Sequence, residues 1–86
     1  MKVGWSSRFI KESKRLSREE KKQLSVRVKW FQNNPNDSRL KNHPLAGKLQ
    51  GYFSFSLTYS KRVVYFWTKK EEAVLIGVGG HDQIYR

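Results

Sequence analysis

The sequence contains no cysteine among its 86 residues. This absence excludes disulfide bonds, thiolate metal sites and thiol nucleophiles, and it fits a protein of the reducing cytoplasm. No apolar run approaches the roughly 20 residues that a transmembrane helix needs. The first five residues, from Met1 to Trp5, do not have the pattern of a signal peptide either. We therefore expect a cytoplasmic protein that has no membrane partner.

Acidic residues are also scarce, because seven Asp and Glu stand against 18 Lys and Arg and leave a net charge of +11. A field of this strength attracts polyanions, so RNA, DNA or an acidic protein are the expected partners. Two-metal phosphodiester chemistry needs clustered carboxylates, and only Asp82 lies near the candidate site described below. One Asp beside one His is too small a ligand set for a specific metal site. We expect neither a metal nor a cofactor.

The first half of the chain has the pattern of a strand followed by two helices. Residues 1–5 read as a short strand, and Ser6 and Ser7 are plausible caps for a helix that runs to about Leu16. A capping box from Ser17 to Glu20 starts a second helix, which ends near residues 33–35. The predicted buried residues of the two helices are Phe9, Ile10, Leu16, Leu24, Val26, Val28, Trp30 and Phe31.

The second half has the pattern of three strands. From Leu49 to Tyr59 apolar and polar residues alternate, which predicts a strand with one buried face. Two further apolar runs, Val63 to Trp67 and Ala73 to Val78, flank a charged tetrapeptide and predict a hairpin. The element order β-α-α-β-β-β, in a single domain covering residues 1–86, predicts an α+β fold. In it, two helices pack on one face of a twisted, mostly antiparallel sheet.

The second arm of the predicted hairpin ends in Gly79 and Gly80, and the polar residues His81, Asp82, Tyr85 and Arg86 follow it. Antiparallel pairing would bring Arg62, at the start of the neighbouring arm, close to this segment. Cleavage of RNA needs a base, an acid and a cation for the phosphate charge. The two histidines, His43 and His81, suit the proton transfers, and arginine suits the phosphate. Each of these residues also has a structural interpretation. The histidines can be turn residues, Tyr85 can pin the C-terminal segment to the sheet, and Arg62 can pair with an acidic side chain.

The ordered set of motifs resembles toxins of the RelE/ParE superfamily over nearly the whole chain. The matching segments are the strand and basic helical hairpin, His-Pro-Leu-Ala-Gly at 43–47, Gly-Tyr at 51–52, Arg-Val-Val-Tyr at 62–65 and Val-Gly-Gly-His-Asp-Gln-Ile-Tyr at 78–85. The resemblance implies the RelE-like fold. For the RelE and YafQ branches it also implies a metal-independent endoribonuclease that cuts mRNA, mostly in the ribosomal A site, and is held inactive by an antitoxin.

Site residues carry over from both branches. Arg62 resembles the RelE arginine on the scissile phosphate, and Tyr85 resembles an aromatic residue of both branches. His43 and His81 resemble two acid and base positions of YafQ. The resemblance thus implies His81 as general acid, His43 as general base or phosphate ligand, and Tyr85 as a positioning group. Lys41, Lys48 and Arg86 are the expected contacts to the RNA backbone.

The sequence also departs from both branches. It lacks the further His and Asp that YafQ carries where this chain has residues 54–61, and it has His81 where RelE has an arginine. The expected partners are a cognate antitoxin, mRNA and the ribosome, and the toxin alone is expected to be a monomer that forms a hetero-oligomer with its antitoxin. Two other functions stay open: a ParE-like inhibitor of DNA gyrase that cleaves nothing, and a basic RNA-binding module.

Overall fold

The computed structural model describes residues 1–80, which form five strands and two α-helices. The elements are β1 Lys2–Trp5, α1 Ser7–Lys14, α2 Arg18–Asn33, β2 His43–Pro44, β3 Phe53–Ser56, β4 Lys61–Lys69 and β5 Glu72–Gly80. Short 3₁₀ turns lie at Ser38–Leu40 and Gly47–Leu49. Among these residues, no helix is both long enough and apolar enough to span a membrane.

The strands form one sheet in the order β1-β5-β4-β3-β2. Strand β1 runs parallel to β5, and the other neighbouring strands pair in antiparallel fashion. A parallel pair needs a long crossover, and α1 and α2 belong to the connection between β1 and the rest of the sheet. The predicted α+β fold with a mostly antiparallel sheet is confirmed.

Local side chains start both helices as the sequence predicts. The Ser6 hydroxyl accepts a hydrogen bond from the Phe9 amide at 3.0 Å. The Ser17 hydroxyl accepts one from the Glu20 amide at 3.1 Å, and the Ser17 amide donates to the Glu20 carboxylate at 2.8 Å. These bonds satisfy amides that a helix N-terminus leaves free, so both helices begin at serine caps.

The core lies between the helices and one face of the sheet. Phe31 of α2 stacks on Phe55 with ring centroids 5.0 Å apart and meets the edge of Tyr65 at 4.7 Å. All three side chains are fully buried. Aromatic pairs at these separations add to the free energy of burial, so this cluster fixes α2 over the centre of the sheet.

The strand predicted from Leu49 to Tyr59 is wrong at both ends. Leu49 closes a 3₁₀ turn, and Gly51 has φ of 96°, a conformation that side chains rarely adopt. Pairing with β4 covers only Phe53 to Ser56, and the chain then turns through residues 57–60. The alternating pattern extends beyond the strand because Leu57 is fully buried within the turn.

The predicted hairpin is confirmed, but its turn is tighter than the charged tetrapeptide between the two apolar runs. Lys69 and Glu72 are already paired, which leaves a two-residue turn in which Glu71 has φ of 61°. A residue with positive φ is common in short hairpin loops that adjoin a bulge, and the register shifts between Trp67 and Lys69. Gly79 and Gly80 are the last residues of β5, as predicted for the end of the second arm.

Candidate active site

Arg62 lies near the start of β4, on the sheet face that points away from the helices. Its neighbours across the sheet are Ser56 on β3 and Gly79 on β5. The alternating residues Val63 and Tyr65 belong to the helix-side core, so the pleat directs Arg62 to the other side. Both cross-strand neighbours are small, so they add little bulk beside the guanidinium.

Three hydrogen bonds hold the Arg62 guanidinium. Its Nε donates to the Ser54 hydroxyl at 2.8 Å, and its Nη2 donates to the carbonyl of Lys41 at 2.9 Å and to the carbonyl of Ser54 at 3.3 Å. Ser54 is fully buried. The described part of the chain gives Nη1 no hydrogen bond. The hydrogen bonds from Nε and Nη2 therefore orient the guanidinium, and Nη1 can still donate to an anion.

His43 is exposed and reaches the same guanidinium. Its Nδ1 lies 3.3 Å from Arg62 Nη2 and 3.2 Å from the Lys41 carbonyl oxygen. With a proton on Nδ1 the ring donates to the carbonyl, and Nε2 of the neutral ring keeps a free lone pair. Without that proton, Nδ1 accepts from Arg62 and Nε2 carries the hydrogen. The ring can thus accept or donate a proton at Nε2. The structure brings His43 and Arg62 together, and their predicted catalytic roles stay predictions.

Lys41 belongs to the site through its backbone. It adopts a left-handed conformation with φ of 48°, and its carbonyl oxygen faces both Arg62 and His43. This conformation costs a non-glycine residue about 1 kcal/mol. The side chains of Lys41 and Lys48 are exposed, and no hydrogen bond or ion pair joins either side chain to the described residues. Their predicted role in RNA binding stays a prediction.

A tyrosine that the sequence analysis did not select supports the connector that carries His43. Asn42 donates from Nδ2 to the Tyr65 hydroxyl at 2.6 Å and to the Pro35 carbonyl at 3.0 Å. Burial raises the pKa of the Tyr65 hydroxyl, and the hydrogen bond from Asn42 opposes that shift. In the sequence Tyr65 reads as a core residue, and only its contact with residue 42 shows that it positions the connector.

The other predicted site residues, His81, Tyr85 and Arg86, lie outside the described residues together with Asp82. Strand β5 ends at Gly80, opposite Lys61, and Gly79 is the partner of Arg62. The predicted meeting of Arg62 with His81 and Tyr85 stays a prediction. Within residues 1–80, no three histidine or carboxylate side chains come together in a way that could hold a metal ion.

A second surface lies on the helix side of the sheet. An apolar groove of about 450 Å³ runs between β1, α1 and α2, and its walls include Trp5, Ile10, Leu24, Val28, Lys21 and Lys29. Trp5 is 56% exposed and Ile10 is 40% exposed. The predicted burial of Ile10 is therefore wrong, and so is that of Val26, which is also 40% exposed. We call this surface the helix-side groove.

The sequence matches no protein-family model, and it has no significant match among curated proteins. Solved structures do match its fold. The structure of YafQ from Escherichia coli strain BL21(DE3) has a TM-score of 0.82 and 20% identity, covering 98% of this chain and 97% of YafQ. The "YoeB/ParE toxin from Agrobacterium tumefaciens" has a TM-score of 0.79 and 21% identity, covering 94% and 99%.

YafQ in the E. coli DinJ-YafQ toxin-antitoxin complex is similar as well, with a TM-score of 0.79 and 20% identity over 98% of this chain and 96% of that one. Similarity at this level of identity concerns the arrangement of the backbone. The fold implied by the resemblance to RelE/ParE toxins is confirmed: the chain has the fold of the YafQ and YoeB/ParE toxins.

Proposed function

We propose that the chain is the toxin of a type II toxin–antitoxin system and that it cleaves mRNA without a metal ion. The observation that carries this proposal is the pairing of an oriented guanidinium with an exposed histidine 3.3 Å away. Arg62 is a group for phosphate charge, and His43 is a group for proton transfer. The toxin fold of the structural neighbours supports the same reading.

The proposed reaction is attack of the RNA 2′-hydroxyl on the adjacent phosphate. His43 takes the 2′-hydroxyl proton, and the new bond from the 2′-oxygen to phosphorus displaces the 5′-oxygen. Arg62 stabilises the negative charge that grows on the phosphorane oxygens, as a preorganised donor does in related chemistry. His81 gives a proton to the leaving 5′-oxygen. The products are a 2′,3′-cyclic phosphate and a free 5′-hydroxyl.

The charge and the remaining predicted residues define how the RNA would be held. Tyr85 positions a base or phosphate, and Lys41, Lys48 and Arg86 contact the RNA backbone. The net charge of +11 favours the ribosome, whose RNA surface is a polyanion. We therefore propose that the substrate is message in the ribosomal A site and that the protein acts in the cytoplasm.

The proposed partner is an acidic antitoxin segment in the helix-side groove. YafQ forms a toxin-antitoxin complex with DinJ. In this chain the groove combines exposed apolar side chains, such as Trp5 and Ile10, with walls that include Lys21 and Lys29. An amphipathic helix with acidic flanks is complementary to both features. We propose that the toxin alone is a monomer and that it becomes part of a hetero-oligomer with this antitoxin.

Primer extension on a defined message, with and without translating ribosomes, tests the proposed reaction. We expect cuts by the unaltered protein, and none by Arg62→Ala, His43→Ala or His81→Ala. The matched control is Lys70→Ala, which removes the same charge at the exposed turn between β4 and β5. Cuts that require ribosomes would also establish where the message is attacked.

Other outcomes would assign the chain to one of the two alternative functions. If no cuts occur under either condition, the nuclease proposal is wrong, and inhibition of gyrase becomes the next assay. If the histidine variants keep full activity while Lys and Arg changes weaken binding and its salt dependence, the chain is a basic RNA-binding module.

A further inference from the structure

Two aromatic side chains lie on the same sheet face as Arg62. Phe66 follows Arg62 and Val64 in the alternation along β4, and the Tyr52 ring meets the Phe66 ring edge to face, with centroids 5.8 Å apart and an interplanar angle of 88°. Both side chains are half-buried. Neither belongs to the core cluster on the helix side, which contains Tyr65 and is packed by Trp67. We call this pair the aromatic ledge.

The residues between the ledge and Arg62 are buried, and the Glu12 and Arg8 side chains of α1 lie next to one of them, Gly77. Val64 lies between them on β4, and its partners are Ser54 on β3 and Gly77 on β5. Four residues along a strand correspond to about 13 Å at about 3.3 Å per residue. An RNA strand held at Arg62 by a phosphate therefore reaches the ledge with a nearby base.

Unpaired RNA bases stack on aromatic side chains, and this stacking tolerates any base because every base has a π-face. We propose that Tyr52 and Phe66 form a stacking subsite for an unpaired base of the RNA whose phosphate binds Arg62. The inference rests on the proposed function. It adds a base-binding element that lies along β4 from the reacting phosphate.

The two faces of the sheet indicate RNA as the occupant of the ledge. The ledge is continuous with Arg62 on one strand and one face, and the chain as a whole is strongly basic. The helix-side groove, which suits an apolar protein segment, lies on the opposite face, where Leu75 of the core forms part of its wall. The competing interpretation is that the two rings only stabilise the sheet as a cross-strand pair.

A binding experiment separates stacking from sheet stabilisation. The probe is a labelled 2′-O-methyl oligonucleotide, which cannot be cleaved because it has no free 2′-hydroxyl, and an abasic site is moved through it one position at a time. For the unaltered protein, one abasic position is expected to weaken binding by about tenfold. Phe66→Leu should bind the intact oligonucleotide about tenfold more weakly than the unaltered protein does. The abasic site at the sensitive position should not weaken the binding of this variant further.

Matched variants control for folding and for aromatic content. Tyr52→Leu should behave like Phe66→Leu, and thermal unfolding checks that both are folded. Trp5→Leu removes an exposed aromatic ring on the helix side, so its RNA affinity should equal that of the unaltered protein. The dependence on salt should not change in any of these variants, because no phosphate contact is removed. In the unaltered protein, RNA that carries 4-thiouridine should crosslink to Tyr52 or Phe66.

Other results reject either the ledge or the nuclease proposal, and they can be told apart. If no abasic position affects the unaltered protein, or if Phe66→Leu keeps the same sensitivity, no base stacks there. If Phe66→Leu weakens binding of the antitoxin and leaves RNA binding unchanged, the face is a protein interface. Loss of cleavage in the primer-extension assay with base-dependent binding retained would reject the nuclease and keep the ledge. Cleavage that depends on Arg62, together with RNA binding that no abasic position weakens, would reject the ledge and keep the nuclease.

Discussion

Arg62→Lys tests whether the shape of the guanidinium, and not only its charge, is needed at the site. Arg62 donates from Nε to the buried Ser54 hydroxyl and from Nη2 to the Lys41 carbonyl, at 2.8 and 2.9 Å. An ammonium is a compact donor group and cannot reproduce this fork. The substitution therefore leaves at least one of the two acceptors without its partner and displaces the charge from its present position.

The expected sizes of the two effects differ. Loss of one hydrogen bond to a charged group lowers the free energy of unfolding by about 1.5–3 kcal/mol. In a domain of this size, each kcal/mol of stability that is lost lowers Tm by about 4–8 °C. Removal of one aligned donor from a transition state lowers the rate by about 100- to 1,000-fold. Single-turnover cleavage of a defined message and thermal unfolding measure the two quantities separately.

The matched control is Arg27→Lys. Arg27 also donates from a guanidinium to a backbone carbonyl of β3, that of Ser56, at 3.1 Å. Its replacement should lower stability by a similar amount and leave the cleavage rate within about twofold. The reasoning is refuted if folded Arg62→Lys cuts within about threefold of the unaltered protein. It is also refuted if Arg27→Lys loses as much activity, because the loss would then follow stability.

Four further substitutions test other parts of the argument. Tyr65→Phe should cost about 1 kcal/mol in urea unfolding and reduce cleavage, because the connector amide loses its acceptor; an unchanged rate would exclude a positioning role. Lys41→Gly should not lower stability, because glycine adopts the left-handed conformation freely, and it should weaken RNA binding, because the proposed contact of the side chain with the RNA backbone is lost; unchanged RNA affinity would contradict that contact. The hydrogen bond from the Arg39 guanidinium lowers the pKa of Asp37 to about 2. The stabilisation by ionised Asp37 is fully present above the pKa of an Asp in the unfolded chain, about 4, and is lost as the pH falls through about 2. The difference in Tm between the unaltered protein and Asp37→Asn should therefore shrink across that pH range. A constant difference would contradict this. Ile10→Glu should weaken antitoxin binding in calorimetry, and Val26→Glu, at an equally exposed position outside the groove, should not.

Much of the fold follows from interactions between residues close in sequence. The serine caps at Ser6 and Ser17 act within three positions, and the hairpin joins two β-branched and aromatic runs across a short turn. Such signals depend on backbone geometry and side-chain chemistry alone. They were sufficient to predict the helix starts, the α+β class and four of the five strands, but not the short strand β2 at His43–Pro44.

Burial was harder to predict, because it depends on what covers a side chain. Leu49 and Leu57 continue the alternation of a strand, but one lies in a 3₁₀ turn and the other is buried in the turn after β3. Ile10 and Val26 fit the apolar stripes of their helices and are nevertheless exposed. A periodic pattern shows which residues share a face, and only the packing of the whole chain shows whether that face is covered.

For the candidate site, the sequence by itself determined which chemical groups are present: two histidines, an arginine in Arg-Val-Val-Tyr and a strongly basic surface. The tertiary structure decided which of them meet. His43 and Arg62 are separated by 19 positions, and they come together because β2 pairs with β3, β3 pairs with β4, and the Asn42 amide is held by the Tyr65 hydroxyl. It also decided that Lys41 contributes its carbonyl, since a left-handed φ at that residue aims the backbone, and not the side chain, at the guanidinium.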